Sequence, residues 1–294
     1  MEDRIHEIHE KVRDYYSELT NLKGGELASA VCSCSANNIT ETVKTILSEL
    51  PDEILARYYG CGSPIPENLE GLTVLDLGCG TGRDVYVVSK LVGENGRVIG
   101  IDMNDDQLAI AEKYKEEMAE KWGFSNVEFR KGYIEDLASA GIDSGSIDVV
   151  ISNCVINLSP DKDAVFSEIW RVLKEGGILY FSDIFANKTV PAEINTHPLL
   201  LGECLGGAMS HDEFETIMKS NGWKDVSIVS SYSTPIGNPE IEKLVEGISY
   251  SSDTVSAVKM TDNAEPGCKP VTVSVSRSYH IQPCCCGKGD AGCC

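Results

Sequence analysis

Three cysteines lie in loop-like sequences whose composition suits ligand binding. They are Cys61 in Gly-Cys-Gly, Cys154 in Asn-Cys-Val and Cys204 in Glu-Cys-Leu. A thiolate is a soft donor, so three of them over one pocket would form a site for a thiophilic ion. The residues alone leave a second interpretation open, because a cysteine is most often a small buried apolar residue. Cys79, between two glycines, is predicted to be a packing residue of that kind.

A glycine turn with Gly78, Gly80 and Gly82 follows the apolar stretch 72–77. Glycine has no Cβ and tolerates positive φ, so such a turn lets a ligand approach the backbone closely. About twenty residues later, Asp102 ends a second apolar stretch, where a carboxylate can hold the two hydroxyls of a ribose. The two features together indicate a nucleotide-type cofactor.

Two side chains around this turn decide which cofactor it suits. Arg83 stands where a dinucleotide fingerprint has its third glycine, and a long side chain there crowds a pyrophosphate. S-adenosylmethionine instead carries an amino-acid carboxylate, which is compatible with Arg83, and an ammonium group, which Asp76 can hold. A nicotinamide cofactor and a purely structural turn are the alternatives. The residues predicted to contact S-adenosylmethionine are Asp76, Gly78, Gly80, Arg83, Asp102, Met103, Ile134, Glu135 and Asn153.

Alternating strands and helices position these residues. Apolar runs predict strands at 72–77, 97–102, 126–131, 147–152 and 178–182, and helical patterns predict helices at 84–92, 105–121, near 135–140 and at 161–173. A helix at 211–221 and strands at 224–230 and 254–260 would add an antiparallel edge. This pattern predicts a Rossmann-like class I methyltransferase fold, with a mostly parallel seven-stranded sheet and helices on both faces. Ligands of such sheets bind at the carboxyl ends of the strands, which places Cys154 beside the cofactor.

Charge and hydropathy exclude several classes of partner. A net charge of −21 argues against binding to nucleic acid or to anionic membranes. No stretch reaches the ~18 apolar residues of a membrane span, and the first residues show no signal-peptide core. We therefore expect a cytoplasmic protein. Thiols are normally reduced there, so the 12 cysteines favour soft-metal binding or thiol chemistry over a disulfide framework.

The chain divides into three predicted parts. Residues 1–40 hold an amphipathic helix at 1–23, which covers part of the cofactor site or simply packs on the fold, and a loop with Cys32 and Cys34. Residues 41–260 form the methyltransferase domain with the thiolate site. Residues 261–294 form a short cysteine-rich tail. The six cysteines of that tail are Cys268, Cys284, Cys285, Cys286, Cys293 and Cys294.

The sequence resembles the arsenite S-adenosylmethionine methyltransferase family. The resemblance covers most of the first 260 residues, and its cysteine-bearing motifs are specific to that family. The matching stretches are Arg57-Tyr-Tyr-Gly-Cys-Gly62, Leu75-Asp-Leu-Gly-Cys-Gly-Thr-Gly-Arg-Asp84, Gly100-Ile-Asp-Met103, Gly132-Tyr-Ile-Glu135, Ser152-Asn-Cys-Val-Ile-Asn-Leu158 and Gly202-Glu-Cys-Leu-Gly-Gly207.

The resemblance implies stepwise methylation of arsenite, or of its glutathione complexes, to methyl- and dimethylarsenicals for detoxification. It implies that Cys61, Cys154 and Cys204 bind As(III), and that Tyr59 lines the donor site. It also implies that an N-terminal cysteine, Cys32 or its neighbour Cys34, forms a disulfide with Cys61 during turnover. Cys32 therefore joins the three ligands as a catalytic residue. A thiol reductant, glutathione or thioredoxin, is implied as well, and we expect a monomer.

Two other functions are compatible with the residues. One is methylation of a small organic acceptor, such as a quinone precursor, with the cysteines structural. The other is metal binding by a thiol-rich protein whose methyltransferase domain is no longer active. The tail after residue 260 is shorter than the C-terminal domain that the family usually carries. Its cysteines either capture or deliver As(III), or belong to a dispensable disordered segment.

Overall fold

The computed structural model describes residues 2–21, 27–29 and 39–260. The strands are β1 (Thr73–Leu77), β2 (Arg97–Asp102), β3 (Val127–Lys131), β4 (Ile147–Asn153), β5 (Leu173–Ala186), β6 (Met209–Ser210), β7 (Asp225–Ser233) and β8 (Tyr250–Val258). The helices are α1 (Glu2–Asn21), α2 (Glu41–Leu47), α3 (Asp52–Leu55), α4 (Arg83–Val92), α5 (Asp105–Lys113), α6 (Lys115–Trp122), α7 (Lys162–Val172), α8 (Ala192–Asn195), α9 (Pro198–Gly202), α10 (His211–Ser220) and α11 (Pro239–Leu244), with a 3-10 turn at Ile156–Leu158.

The sheet has the mixed topology that the sequence predicts. Its strand order is β3-β2-β1-β4-β5-β8-β7, and the neighbours from β3 to β5 are parallel. Strand β8 runs antiparallel to both β5 and the edge strand β7. The two-residue strand β6 pairs with the end of β5, off this path. The predicted fold class is confirmed.

Helices cover both faces of the sheet, and neighbouring residues of a buried strand pack against opposite sides. In β1, Val74 packs in the apolar cluster that contains α4, whereas Leu75 packs in the cluster that contains α7. Successive side chains of a strand point to opposite faces, so a strand that is apolar throughout needs helices on both sides. This arrangement leaves the ends of the strands as the place for a ligand.

Three predicted elements differ from the structure. The predicted helix at 105–121 is two helices that meet at Tyr114, whose hydroxyl donates to Glu53. Residues 135–140 form turns rather than a helix, because the chain stops after one turn at Gly141, which has φ of 75°. Gly141 N donates to the carbonyl of Ala138 at 2.9 Å and Ile142 N donates to that of Leu137 at 3.0 Å, the pattern that ends a helix. Strand β5 is longer than 178–182, since β8 pairs with it from Ile178 to Ala186.

The two terminal predictions fall partly outside the described residues. The N-terminal helix is present as α1, but the loop with Cys32 and Cys34 and the tail after residue 260 lie outside. In the part of the chain that is described, none of the helices has the length and apolar character needed to cross a bilayer.

Candidate active site

A cleft lies at the carboxyl ends of β1, β2 and β4. Its empty space, including the part that is open to solvent, is about 980 Å³. Ten residues predicted to contact the donor line it: Tyr59, Asp76, Gly78, Gly80, Arg83, Asp102, Met103, Ile134, Glu135 and Asn153. Cys154 also lines it, which places one predicted arsenic ligand at the wall of the cleft.

The glycine turn keeps backbone, not side chains, at the floor of the cleft. Gly78 and Gly80 both have positive φ, of 67° and 55°. A Cβ on Gly78 would lie 2.4 Å from the side chain of Val155, and a Cβ on Gly80 would lie 2.7 Å from Gln107. Any other residue would therefore strain the backbone at both positions, and at Gly78 it would also collide with Val155.

Asp76 is a buried carboxylate without a hydrogen-bond donor among the described residues. Burial raises its pKa well above the usual range, and the nearby charges of Asp84 and Asp102 raise it further. Such a cluster of negative charge favours a cation in the cleft. The ammonium and sulfonium groups of S-adenosylmethionine are two such cations, so the residues fit this donor.

Asp102 is held at the end of β2 by two backbone donors. Gly80 N donates to one carboxylate oxygen at 2.8 Å, and Asn104 N donates to the other at 2.9 Å. Burial raises the pKa of Asp102, while these two bonds act in the opposite direction. The carboxylate is thus fixed beside the glycine turn, in the position predicted for a ribose partner.

Arg83 has two partners that the sequence did not indicate. Its guanidinium lies 3.7 Å from the centre of the Tyr58 ring, and its Nη1 pairs with Asp84 at 2.7 Å. Tyr58 in turn donates to the carbonyl of Gly62 at 2.6 Å. The position of Tyr58 within Arg57-Tyr-Tyr-Gly-Cys-Gly62 is the only sequence signal for this role.

Helix α1 closes the cleft on its outer side. His9, Val12, Arg13 and Tyr16 line the cleft, and His9 stacks on Tyr133 with ring centres 4.5 Å apart. His9 Nε2 also hydrogen-bonds Glu135 at 3.1 Å. Burial raises the pKa of Glu135, but the bonds from His9 and Ser159 outweigh burial and bring it below the usual value. Of the two interpretations of this helix, the structure favours the one in which it covers the cofactor site.

Asn153 connects the cleft to the loop that carries Cys61. Its Oδ1 accepts from the backbone of Cys61 at 3.1 Å and of Gly62 at 3.2 Å. Its Nδ2 donates to the carbonyl of Gly62 at 2.9 Å and to the hydroxyl of Tyr58. The predicted donor-site residue therefore also positions a predicted arsenic ligand.

Cys61, Cys154 and Cys204 belong to one buried apolar cluster. Cys61 and Cys154 are joined by a disulfide with Cα atoms 5.9 Å apart. The Cys204 thiol donates to the carbonyl oxygen of Cys154 at 3.1 Å. Segments that are far apart in the chain thus meet beside the cleft. The pairing of Cys61 with Cys32 stays a prediction, because Cys32 is not described and Cys61 is bonded to Cys154 here.

The backbone is strained at two of these cysteines. Cys154 has φ of 56° and Cys204 has φ of 61°, and Asn68 is the only other non-glycine residue with positive φ in the described ranges. A left-handed conformation is unfavourable for a residue with a Cβ, and it persists where the surrounding structure imposes it. Both cysteines are therefore held in fixed orientations.

Asp183 lies beside the cysteine pair and was missed by the sequence analysis. It is completely buried and accepts from the backbone of Asn157 at 3.1 Å and of Ile184 at 2.9 Å. Burial raises its pKa to about 7, although these bonds and the charge of Lys162 act against the shift. The available signal was an aspartate directly after the apolar stretch predicted as a strand at 178–182.

Glu203, next to Cys204, binds the N-terminal segment. The buried carboxylate accepts from the hydroxyls of Tyr15 and Ser29, from Ala28 N at 2.7 Å and from Ser29 N at 2.8 Å. The residues that precede the Cys32 loop are thus attached to the segment that carries Cys204. Nothing in the residue pattern alone pointed to this contact.

The fold and the cleft define an S-adenosylmethionine-dependent methyltransferase. A family model described as "Methyltransferase domain" matches residues 68–222. The chain is 43% identical to the arsenite methyltransferase of Aquipseudomonas alcaligenes, over 89% of this chain and 75% of the relative. It is 44% identical to the human arsenite methyltransferase, over 86% of this chain and 68% of the relative.

A solved structure gives the same result. The arsenic(III) S-adenosylmethionine methyltransferase CrArsM from Chlamydomonas reinhardtii superposes with a TM-score of 0.72 and 41% identity, over 76% of this chain and 75% of that one. The chain belongs to the arsenite methyltransferase family. A demethylmenaquinone methyltransferase from Lactococcus lactis is 40% identical over 110 residues, which is 37% of this chain. That likeness does not reach far enough to support the quinone alternative.

Proposed function

We propose that this protein transfers methyl groups from S-adenosylmethionine to trivalent arsenic bound by its cysteine thiolates, giving methyl- and dimethylarsenicals. The observation that carries the proposal is the meeting of Cys61, Cys154 and Cys204 in one buried cluster beside the donor cleft. Family membership supports arsenite as the substrate.

The donor-binding residues would each hold a different group of the donor. Asp76 would hold the ammonium group, Asp102 the ribose hydroxyls, and the segment from Tyr133 to Glu135, with His9 stacked on it, the adenine. When bound, S-adenosylmethionine supplies an electrophilic methyl group on its sulfonium sulfur. Helix α1 and the cleft walls would shield that group from water.

The cysteines would hold the acceptor. Each arsenic–sulfur bond replaces one hydroxyl of arsenous acid, which leaves as water together with the proton of the thiol. Three such bonds leave the arsenic lone pair available to attack the methyl group, so no general base is needed. The attack would raise arsenic formally from As(III) to As(V), with S-adenosylhomocysteine leaving. Loss of two of the three thiolates as a disulfide would return the methylated arsenic to As(III), and the thiol reductant would then reduce that disulfide. Of these three cysteines, Cys154 is the one that lines the cleft.

A thiol reductant completes the proposal. The Cys61–Cys154 disulfide must accept two electrons and two protons before both sulfurs can bind arsenic. Glutathione or thioredoxin would supply them in the cytoplasm, where thiols stay reduced. Cys32, or Cys34, would exchange disulfides with Cys61, which is supported by the binding of Ala28 and Ser29 to Glu203. We propose that the protein acts as a monomer with residues 41–260 as its catalytic domain.

The test is methylation of arsenite by the reduced protein with labelled S-adenosylmethionine. Labelled methylarsenicals are expected. Cys154→Ser and Cys204→Ser each remove one of the three sulfur ligands of arsenic. Each should lower turnover at least about 100-fold, which corresponds to a loss of ~2.7 kcal/mol of transition-state stabilisation. Donor binding, measured by calorimetry, should not change. Cys268→Ser is the matched control and should retain activity. Normal turnover in either of the first two variants would contradict the thiolate site.

A further inference from the structure

Cys61, Cys154 and Asp183 form a second possible ligand set at the same place. The two cysteine sulfurs and one oxygen of the Asp183 carboxylate all lie within 4.8 Å of one another, and among the described residues this is the one group of metal-binding side chains that does so. All three side chains are buried. Two thiolates and a carboxylate are typical ligands of Zn²⁺ and of its softer congener Cd²⁺.

The surroundings support negative charge at these ligands. The backbone N–H of Cys61 donates to the sulfur of Cys154 at 3.1 Å. The Asp183 carboxylate is oriented by the backbone N–H groups of Asn157 and Ile184. The three ligands carry one negative charge more than a divalent ion neutralises, and Lys162 interacts favourably with Asp183. Hydrogen bonds of this kind orient metal ligands and strengthen binding.

The carboxylate separates this site from the arsenic site. Cys204 is not a member of the 4.8 Å group, whereas it is one of the three thiolates proposed to hold arsenic. A soft trivalent metalloid gains little from a carboxylate, but a borderline dication accepts one readily. The two ions would therefore share Cys61 and Cys154 and differ in the third ligand.

We propose that reduction of the Cys61–Cys154 disulfide creates a site for a thiophilic divalent cation, formed by Cys61, Cys154 and Asp183. A phosphine or dithiol reductant supplies two electrons, and the sulfurs take up two protons. The cation then displaces those two protons and binds both thiolates and the carboxylate. The proposal that the cation binds does not depend on the proposed function. The proposal that it competes with arsenite rests on that function, because arsenite would use the same two cysteines.

The experiment is a Cd²⁺ titration of the full-length chain after phosphine reduction. To remove other thiols, the cysteines outside the described residues are first changed to serine: Cys32, Cys34, Cys268, Cys284, Cys285, Cys286, Cys293 and Cys294. We expect one Cd²⁺ per chain, a sulfur-to-cadmium charge-transfer band, and release of about two protons. Added arsenite should displace the cation and abolish the band.

Variants assign the ligands. Cys61→Ser or Cys154→Ser should lower the band and the affinity. Asp183→Asn should keep the band and weaken binding roughly 10- to 100-fold, measured by competition with a chromophoric chelator. Asp183→Glu keeps a carboxylate and should recover part of the affinity. It replaces Asp183→Asn in the test if that variant does not fold. Cys79→Ser and Asp148→Asn are matched controls that should leave the Cd²⁺ affinity and the charge-transfer band unchanged. Binding of S-adenosylmethionine checks folding, since Asp183 does not line the donor cleft.

The two proposals fail in different ways. Cd²⁺ affinity that is unchanged by Asp183→Asn, or lost in Cys79→Ser, would overturn the cation site even if arsenite is methylated. Absence of methylarsenicals in chelator-treated buffer would overturn the proposed function, while Asp183-dependent Cd²⁺ binding would leave the cation site standing.

Discussion

The donor cleft and the cysteine cluster are adjacent, yet they are built in opposite ways. The cleft is formed by the ends of adjacent strands, with backbone glycines and the carboxylates of Asp76 and Asp102. The cysteine cluster is formed by Cys61, Cys154 and Cys204, which come from distant segments and lie among apolar side chains. The cleft is therefore specified by local sequence, whereas the cluster depends on tertiary packing. This difference predicts that the two sites can be damaged separately.

Asp76→Asn is expected to have the largest effect that is confined to one of the two sites, a loss of affinity for S-adenosylmethionine. The variant removes a buried charge that faces the cleft without a partner in the described chain. A hydrogen bond to a charged group contributes about 1.5–3 kcal/mol, so the dissociation constant for S-adenosylmethionine should rise by roughly 10- to 100-fold. Calorimetry measures this change. Arsenite binding should stay normal, and the ligand-free protein should be no less stable, because like charges are removed.

Equal loss of arsenite binding in Asp76→Asn would show that the two sites are not separable in this way. An unchanged donor affinity would remove Asp76 from the donor site.

Asn153→Ala should damage both sites at once, since this amide joins them. It loses its bonds to Cys61, Gly62 and Tyr58, which should lower the free energy of unfolding by about 1–3 kcal/mol in a urea titration. Turnover should fall while arsenite and donor both bind less tightly. Asn126→Ala is the matched control, because Asn126 makes a similar set of bonds to Ser89 and Gly93 away from the cleft.

A stability loss in Asn153→Ala equal to that of the control, with normal binding of both ligands, would contradict a positioning role for Asn153.

A smaller effect is expected in the pH dependence of stability. The pKa of Asp183 is raised from 3.8 to about 7 in the folded protein. The folded state therefore binds a proton more tightly than the unfolded state, and the stability from this group is lost as pH rises from about 4 to about 7. Asp183→Asn should lose this part of the pH dependence. Urea titrations of both proteins at pH 5 and pH 8 should show a stability difference that shifts in favour of the variant at the higher pH.

A constant difference between the two pH values would mean that burial does not raise the pKa of Asp183.

The same contrast explains how far the sequence could predict the structure. The regular succession of apolar strands and helices was enough to predict the parallel strands and the antiparallel edge. Gly78, Gly80 and Asp102 were correctly predicted to lie in the cleft, because these signals are local. The turn at 135–140 was predicted as a helix, because its bond from Ser139 N to the Asp136 carboxylate is also the bond that begins a helix.

The roles of Asp183 and Glu203 could not be predicted. Each is explained by contacts with residues that are distant in the chain: Asp183 with the cysteine pair and Glu203 with Tyr15 and Ser29. A single sequence gives no measure of such proximity. The left-handed backbone of Cys154 and Cys204 is likewise imposed by packing, and a cysteine carries no local signal for it.

The central claim is that arsenic is bound by Cys61, Cys154 and Cys204 at the wall of the donor cleft. The most direct test is a crystal structure of the reduced protein soaked with arsenite. We predict one arsenic atom bonded to the sulfurs of all three cysteines, with its open side towards the cleft. Arsenic bound elsewhere, or with none of these three sulfurs as a ligand, would contradict the account.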